Sequence, residues 1–162
     1  MVSTFQARGG HGSFGLARNV GVRFLLVRGE SLVPVKRKTL VGSQDRIVAA
    51  YVNAVDEGVV HLLAFAIDGK GELHWLYPEY VDPRTDPEGI RLQVGTEEIV
   101  FAESVQLEDV ASGPMRLVSL ISSQQLKVSD VEQLPREERT LVRMKRRWPA
   151  AQIDAVEVMW VQ

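Results

Sequence analysis

The chain has 162 residues, of which 45% are hydrophobic and 25% charged, and its formal net charge is -2. This length suits one domain with a sizeable core, and the composition is that of a globular protein, not of a disordered chain. The nearly balanced charge offers no whole-molecule attraction to nucleic acid or to an anionic membrane. Because cysteine is absent, disulfides, thiolate nucleophiles and zinc–thiolate sites are excluded.

The first 19 residues are rich in glycine and lack an apolar run, so we predict a flexible arm at 1–19 and one domain at 20–162. The arm does not fit a signal peptide, and no stretch approaches the ~20 apolar residues of a membrane-spanning helix. A complete chain would therefore stay in the cytoplasm, whereas processing from a longer precursor would allow an extracytoplasmic location. Gly10–Gly15 fits G-x-G-x-x-G, but it lacks the flanking strand and helix of a nucleotide site.

Alternating apolar residues predict strands in the first third of the chain. Val20–Leu26 alternates with a period near two. Leu32–Val35 follows as a short strand, and Pro34 assigns it to a sheet edge because proline lacks a backbone donor. Arg46–Val55 is apolar on both sides, which predicts a strand partly covered on both faces, and we expect Asn53 to mark its exposed end.

The clearest local signal is a hairpin. Val59–Ile67 and Glu72–Tyr77 flank Asp68-Gly69-Lys70-Gly71, and Asp-Gly between two β-rich runs is typical of a tight turn. A two-residue turn centred on Gly69-Lys70 would place His74 opposite Phe65. Strand alternation would then put Trp75 and Tyr77 on one face.

The remaining segments complete a mostly-β pattern. Prolines and acids make Pro78–Gly89 a loop, and further strands are predicted at Arg91–Val94, Glu98–Phe101, Ser104–Leu107, Met115–Ser122 (a central strand) and Ile153–Val161. Ser129 and Glu132 predict a capping box for a short helix. Pro135 begins a second helix that Pro149 ends, with one apolar face formed by Leu141, Met144 and Trp148. We predict an antiparallel β-sandwich, Ig-like or jelly-roll-like, with one or two short C-terminal helices.

The sequence predicts no catalytic residue, metal or cofactor. His61 and His74 would lie roughly 13 Å apart on one strand face, too far to share a metal ion. Four acids crowd the proline-rich loop, namely Glu79, Asp82, Asp86 and Glu88. A weak calcium site is one interpretation of them, but their spacing does not match an EF-hand, and a solvated loop is the simpler interpretation.

Two groups of residues are candidates for contact with a partner. Trp75, Tyr77 and Tyr80 form an aromatic group that is either core or a contact platform beside the loop. The second helix is basic, with Arg143, Arg146 and Arg147 near its end. Its cations suit a solvated face favoured by the helix dipole, an acidic protein partner, or phosphate. Nucleic acid is the less favoured ligand, because no aromatic residues interleave with the cations.

Three segments resemble an uncharacterised family of bacterial β-sandwich domains. They are Gly42-Ser43-Gln44-Asp45-Arg46, the phrase LLAFAIDGKGELHWLYP from Leu62 to Pro78, and Gly113–Val118 with Leu126–Val131. Members look like accessory modules, often appended to caspase-like peptidases, protein kinases, anti-sigma-type proteins and surface lipoproteins. The family pattern places Gly-Asp-Arg together, whereas here two residues separate the glycine from the aspartate. The resemblance spans roughly residues 20–161 and implies a sandwich with no catalytic residue to carry over.

These observations favour a non-catalytic interaction or accessory domain, a regulatory or assembly subunit of a bacterial complex. Its partner would be another protein, bound through an edge strand or through the Trp75–Gly89 end, and edge pairing would also allow a homo-oligomer. Leu32–Val35 and the C-terminal strand are the candidate edges. The alternative is a small-ligand or glycan sensor that uses the aromatic group.

Overall fold

The computed structural model describes residues 20–54, 59–79, 82 and 84–162. The predicted arm at 1–19, with its glycine pattern and His11, lies outside them, as does Tyr80. The described part is mostly β with few helices, which confirms the predicted class. No helix in these ranges is long and apolar enough to span a membrane.

The described residues form ten strands, two α-helices and one 3-10 helix. The strands are β1 (Val20–Arg28), β2 (Ser31–Pro34), β3 (Leu40–Gly42), β4 (Arg46–Asn53), β5 (His61–Ile67), β6 (Leu73–Tyr77), β7 (Ile90–Arg91), β8 (Gly95–Val100), β9 (Gly113–Ser122) and β10 (Gln152–Val161). Between β9 and β10 lie α1 (Val128–Glu132), the 3-10 helix Arg136–Glu138 and α2 (Leu141–Arg147).

The strands form two sheets, one in the order β2-β1-β4-β8 and one in the order β3-β10-β9-β5-β6, with β7 paired to β5. The predicted edge position of β2 and the central position of β9 are confirmed. The prediction that the C-terminal strand is an edge is wrong, because β10 lies between β3 and β9. β3 runs parallel to β10, so the pairing is not wholly antiparallel. With only three residues, β3 has too little alternation to be recognised in the sequence.

Apolar side chains collect in two main cores. The first contains residues of both sheets, including Phe24, Ile47, Leu62 and Leu117. The second lies between the six-stranded sheet and the helices, where Phe65 and Val118 meet Val131, Met144 and Trp148. Strands β4, β5 and β9 are buried on both faces, as the run of apolar residues in β4 predicted. Asn53 is also buried, with its amide donating to the Leu92 carbonyl, so its predicted exposed position is wrong.

The helical layer differs in two details from its prediction. Ser129 is not the N-cap of α1, because that helix begins after Lys127, and Ser129 instead donates from its amide and hydroxyl to Asp86. The predicted second helix is divided into the 3-10 turn and α2, whose N-cap Thr140 accepts from the Arg143 amide. The shared face of Leu141, Met144 and Trp148 is confirmed, since all three pack in the second core.

The hairpin is confirmed, but its turn is longer than predicted. The Gly71 amide donates to the Asp68 carbonyl and the Asp68 amide donates to the Glu72 carbonyl. Gly71, at φ +79°, is therefore the residue that needs a left-handed conformation, and Gly69 is not. His74 consequently lies opposite Ala66, and the predicted pairing with Phe65 is wrong.

The prediction that Trp75 and Tyr77 share one face is wrong, because this hairpin contains a β-bulge. Trp75 pairs with Phe65 and Tyr77 pairs with Ala64, so Leu76 is the extra residue. Trp75 therefore packs under the helices, in the second core, and Tyr77 packs between the sheets. Strand alternation in β5 also turns His61 to the helical side, away from the face of His74.

The weakly patterned strands of the third quarter are shorter or displaced. Only Arg91 of the predicted strand Arg91–Val94 lies in a strand, the two-residue β7, and Glu98–Phe101 falls largely within β8. Ser104–Leu107 forms a single bridge, between Val105 and Ile47, instead of a strand. The described residues of the Pro78–Gly89 segment contain no strand or helix, as predicted.

Candidate functional site

The structure divides the basic residues of the C-terminal helical segment into two classes. Arg139 is a structural residue, because its guanidinium donates to the backbone carbonyls of Leu134, Gly71 and Glu132. Arg136 pairs with Glu72 of the hairpin. These two arginines tie the 3-10 helix to the β5–β6 turn, so they are occupied within the fold.

The cations of α2 form the second class and project into solvent. Arg143, Lys145, Arg146 and Arg147 are exposed, and Val142 beside them is 61% exposed. Arg143 reaches one acid, Glu138, at 3.8 Å between Nη1 and Oε1. No ion pair within 4.0 Å joins the other three cations to an acid in the part of the chain that the structure describes. We call Val142, Arg143, Lys145, Arg146 and Arg147 the basic face.

The basic face is rigidly presented because the opposite side of α2 is anchored. Met144 is 1% exposed and Trp148 is 9% exposed, and both pack against the six-stranded sheet. Four cations within seven residues are only partly explained by the helix dipole, which favours positive charge near a helix C-terminus. Arg143 lies three and four residues from Arg146 and Arg147, spacings at which like charges repel by about 0.2–0.5 kcal/mol per pair. The fold therefore carries an electrostatic cost that an acidic partner would remove.

One acid besides Glu138 influences this region. Desolvation by neighbouring residues raises the pKa of Asp154 on β10, although the residue itself is exposed, and the Gln152 side chain and the charge of Lys145 partly oppose that rise. Asp154 and Lys145 are not within ion-pair distance, so Lys145 keeps its charge available at the surface.

The two described residues of the predicted aromatic group are buried. Trp75 is 9% exposed and donates from Nε1 to Glu132 of α1 at 3.0 Å. Tyr77 is 5% exposed, and its ring stacks on Phe101 with centroids 4.4 Å apart. Its hydroxyl donates to the Glu103 carbonyl, and burial raises the pKa of Tyr77 to about 12. The two rings therefore do not form one platform.

The acids of the loop are bonded to separate partners. Asp82 pairs with Arg84, and this side-chain hydrogen bond lowers the pKa of Asp82. Asp86 accepts from Ser129, which lowers the pKa of Asp86, and Glu88 accepts from Gln125. Among the described residues, no three histidine, aspartate or glutamate side chains gather as a group that could hold a metal ion.

Two sheet edges carry features that oppose strand addition. Beside β2, the Val35 amide donates to the Phe24 carbonyl of β1. Because hydrogen-bonded and non-hydrogen-bonded positions alternate along an antiparallel strand, Leu32 and Pro34 point their backbone groups away from β1, toward the open edge. Pro34 has no amide to offer there. In β3 the Leu40 carbonyl accepts from Arg28 and the Gly42 amide donates to Asp45. Both edges thus lack part of the hydrogen-bonding capacity that an added strand would use.

Comparison with known proteins leaves the family open. No protein-family model matches the chain, and the searches of curated proteins and of solved structures gave no match.

The sequence identified the arginines of the basic face but not its apolar centre. Val142 lies off the helical stripe of Leu141, Met144 and Trp148, so its exposure could have been predicted from the same periodicity. The sequence could not predict that Arg139 is structural while Arg143 is exposed, because one of the carbonyls that bind Arg139 belongs to the hairpin, which is distant in sequence.

Proposed function

We propose that this chain is a non-catalytic accessory domain that binds an acidic segment of another protein through the basic face of α2. The observation that carries the proposal is the contrast between the occupied Arg136 and Arg139 and the exposed cations that follow them. Exposed Val142 adds an apolar contact at the centre of the charged surface. The predicted partner segment therefore combines several Asp or Glu residues with at least one apolar side chain.

The fold that we propose for this domain is a β-sandwich. Residues of both sheets share the first core, which supports two packed layers. The loose sequence resemblance to bacterial accessory domains agrees with this architecture and with a role as a regulatory or assembly subunit. The same proposal includes the accessory-domain family and the regulatory or assembly role.

Side-chain docking is favoured over strand addition as the mode of binding. The outward positions of β2 include a proline, and those of β3 are bonded to Arg28 and Asp45. The basic face, in contrast, offers charge complementarity on a helix that is fixed by the packing of Met144 and Trp148 in the second core. Solvent-exposed charges such as these cations accelerate association with an oppositely charged partner and make the association sensitive to salt.

Titration of the full chain with a synthetic peptide tests the proposal. The probe is a fluorescein-labelled peptide in which Asp and Glu alternate with Leu, compared with the same peptide carrying Asn and Gln. We expect the acidic peptide alone to bind, with affinity that falls as salt rises. Changing Arg143, Arg146 and Arg147 together to Gln should weaken binding by about tenfold or more, from a loss of about 0.5 kcal/mol or more per exposed pair.

A second triple variant serves as a matched control. Lys36, Arg37 and Lys38 are exposed cations on the turn between β2 and β3, and changing them to Gln removes the same formal charge. The proposal requires this control to bind the peptide nearly as well as the unchanged chain. Equal losses in the two triple variants would show that only net charge matters and would refute a specific site. Tighter binding of single-stranded DNA or of anionic vesicles than of the peptide would also count against it.

A further inference from the structure

A cleft that shares no residue with the basic face lies at the C-terminal end of β6. The cleft has a volume of about 280 Å³ and is lined mainly by apolar groups, namely Leu76, Tyr77, Pro78, Ile90, Phe101 and Val105. This space is close to the lower end of the ≈ 300–1,000 Å³ range typical of small-ligand pockets. A small apolar group therefore fits its dimensions and its lining.

The walls of this cleft are fixed in place. The Tyr77 and Phe101 rings are stacked at an angle of 17°, and the Tyr77 hydroxyl accepts from the Ala49 amide while donating to the Glu103 carbonyl. Phe101 is also within 5.3 Å of the Tyr51 ring, between centroids. The cleft is therefore preformed, and a ligand would not have to order these side chains.

The lining also includes two acidic residues, Glu79 and Glu103, which flank the apolar part together with Ala102. Both residues are exposed, and neither forms an ion pair with a cation in the described part of the chain. Their negative charges reach the Tyr77 hydroxyl, since they contribute to the rise in the pKa of Tyr77 after the larger effect of burial. An apolar space with two unneutralised carboxylates at its rim selects for positive charge attached to an apolar body.

We infer that the cleft lined by Tyr77 and Phe101 binds a small apolar cation, with the hydrocarbon part inside and the ammonium group between Glu79 and Glu103. Primary arylalkyl or alkyl amines are the ligand class that fits these features. The site is separate from the basic face of α2, whose residues do not line it. A failure here would consequently leave the proposed protein-binding function untouched.

Three small probes of similar size distinguish the charge requirement from simple apolar binding. Phenethylamine carries the cation, 2-phenylethanol is its neutral analogue, and 3-phenylpropionate carries a negative charge. Each is titrated into the full chain while the methyl NMR signals of Leu76, Ile90 and Val105 are followed. We expect shifts of these signals with phenethylamine, weaker binding of the alcohol by about fivefold or more, and no saturable binding of the carboxylate.

Paired variants test the assignment of the carboxylates. Changing Glu79 and Glu103 to Gln should lower the affinity for phenethylamine to the affinity for 2-phenylethanol. Changing Glu97 and Glu108 to Gln is the matched control, since both are exposed acids outside the cleft. The inference is overturned by equal affinity for amine and alcohol in the unchanged chain. It is likewise overturned by shifts that avoid the cleft methyls, or by equal losses in the two double variants.

Discussion

Asp68 and His74 form a part-buried pair inside the β5–β6 hairpin, with 2.9 Å between Asp68 Oδ2 and His74 Nε2. The Asp68 side chain is 2% exposed, and it also accepts from the amides of Lys70, Glu72 and Ala111. One carboxylate thus fixes the turn, orients the histidine and fastens the segment that leads into β9. The carboxylate favours the tautomer of His74 in which Nε2 donates.

Replacing Asp68 should destabilise the domain strongly. Asp68→Ala leaves several part-buried donors without their acceptor, and we expect the free energy of unfolding to fall by about 2–4 kcal/mol. Asp82→Ala is the matched control, because Asp82 bonds only within its own exposed loop. That variant should change stability by less than about 0.5 kcal/mol. Urea unfolding followed by tryptophan fluorescence measures both, and similar losses in the two variants would refute the special role of Asp68.

The same carboxylate should make stability fall in acid. Burial tends to raise the pKa of Asp68, but the hydrogen bonds from His74 and from the amides of Glu72, Lys70 and Ala111 outweigh it and hold the pKa below its ordinary value. A depressed pKa contributes stability above the unfolded value, about 3.9, and this contribution is lost as pH falls through the folded pKa. In Asp68→Asn the decline of unfolding free energy below about pH 4 should therefore be shallower. An unchanged slope would contradict this assignment.

The same change to alanine should destabilise the domain far more at Arg139 than at Arg143. Arg139→Ala removes three hydrogen bonds to backbone carbonyls, so we expect a loss of about 2–3 kcal/mol in unfolding free energy. Arg143→Ala removes one long exposed ion pair and should cost less than about 0.5 kcal/mol. Thermal and urea unfolding of both variants check this contrast. Comparable destabilisation would mean that the basic face is part of the fold's own support.

The contact between Trp75 and Glu132 should hold α1 on the sheet. Glu132→Ala leaves the buried indole NH without its acceptor, and we expect a loss of about 1–2 kcal/mol. Glu138→Ala, which removes an exposed acid of the neighbouring 3-10 helix, is the control and should be nearly neutral. Hydrogen exchange of α1 amides should rise only in the first variant. Unchanged exchange there would show that apolar packing alone retains α1.

Much of the architecture could be predicted because hydrophobic alternation records burial directly. The predicted bounds of β1, β9 and β10 lie close to the observed ones, since each strand is long and buried on at least one face. Positions that depend on a single inserted residue could not be predicted this way. The bulge at Leu76 reverses the side of Tyr77, and a turn completed at Gly71 displaces His74 by one position. Neither event changes the apolar pattern on which the prediction depended.

The roles of the arginines in the candidate site could likewise be predicted only in part, because they depend on tertiary contacts. A count of cations along the sequence identified the basic segment, but local sequence does not say which arginines the fold uses. Arg139 is bound partly by Gly71, 68 positions away, and Arg136 by Glu72, 64 positions away. Only after these are assigned to the fold do the remaining cations define a surface.

Mapping of the acidic Asp/Glu–Leu peptide on the full chain by amide NMR tests the central claim most directly. We predict that the largest shifts fall on Val142, Arg143, Arg146 and Arg147 and on their immediate neighbours, and that added salt reverses them. Shifts centred instead on the Lys36–Lys38 turn or on the edge of β2, or no saturable shifts at low salt, would contradict the account.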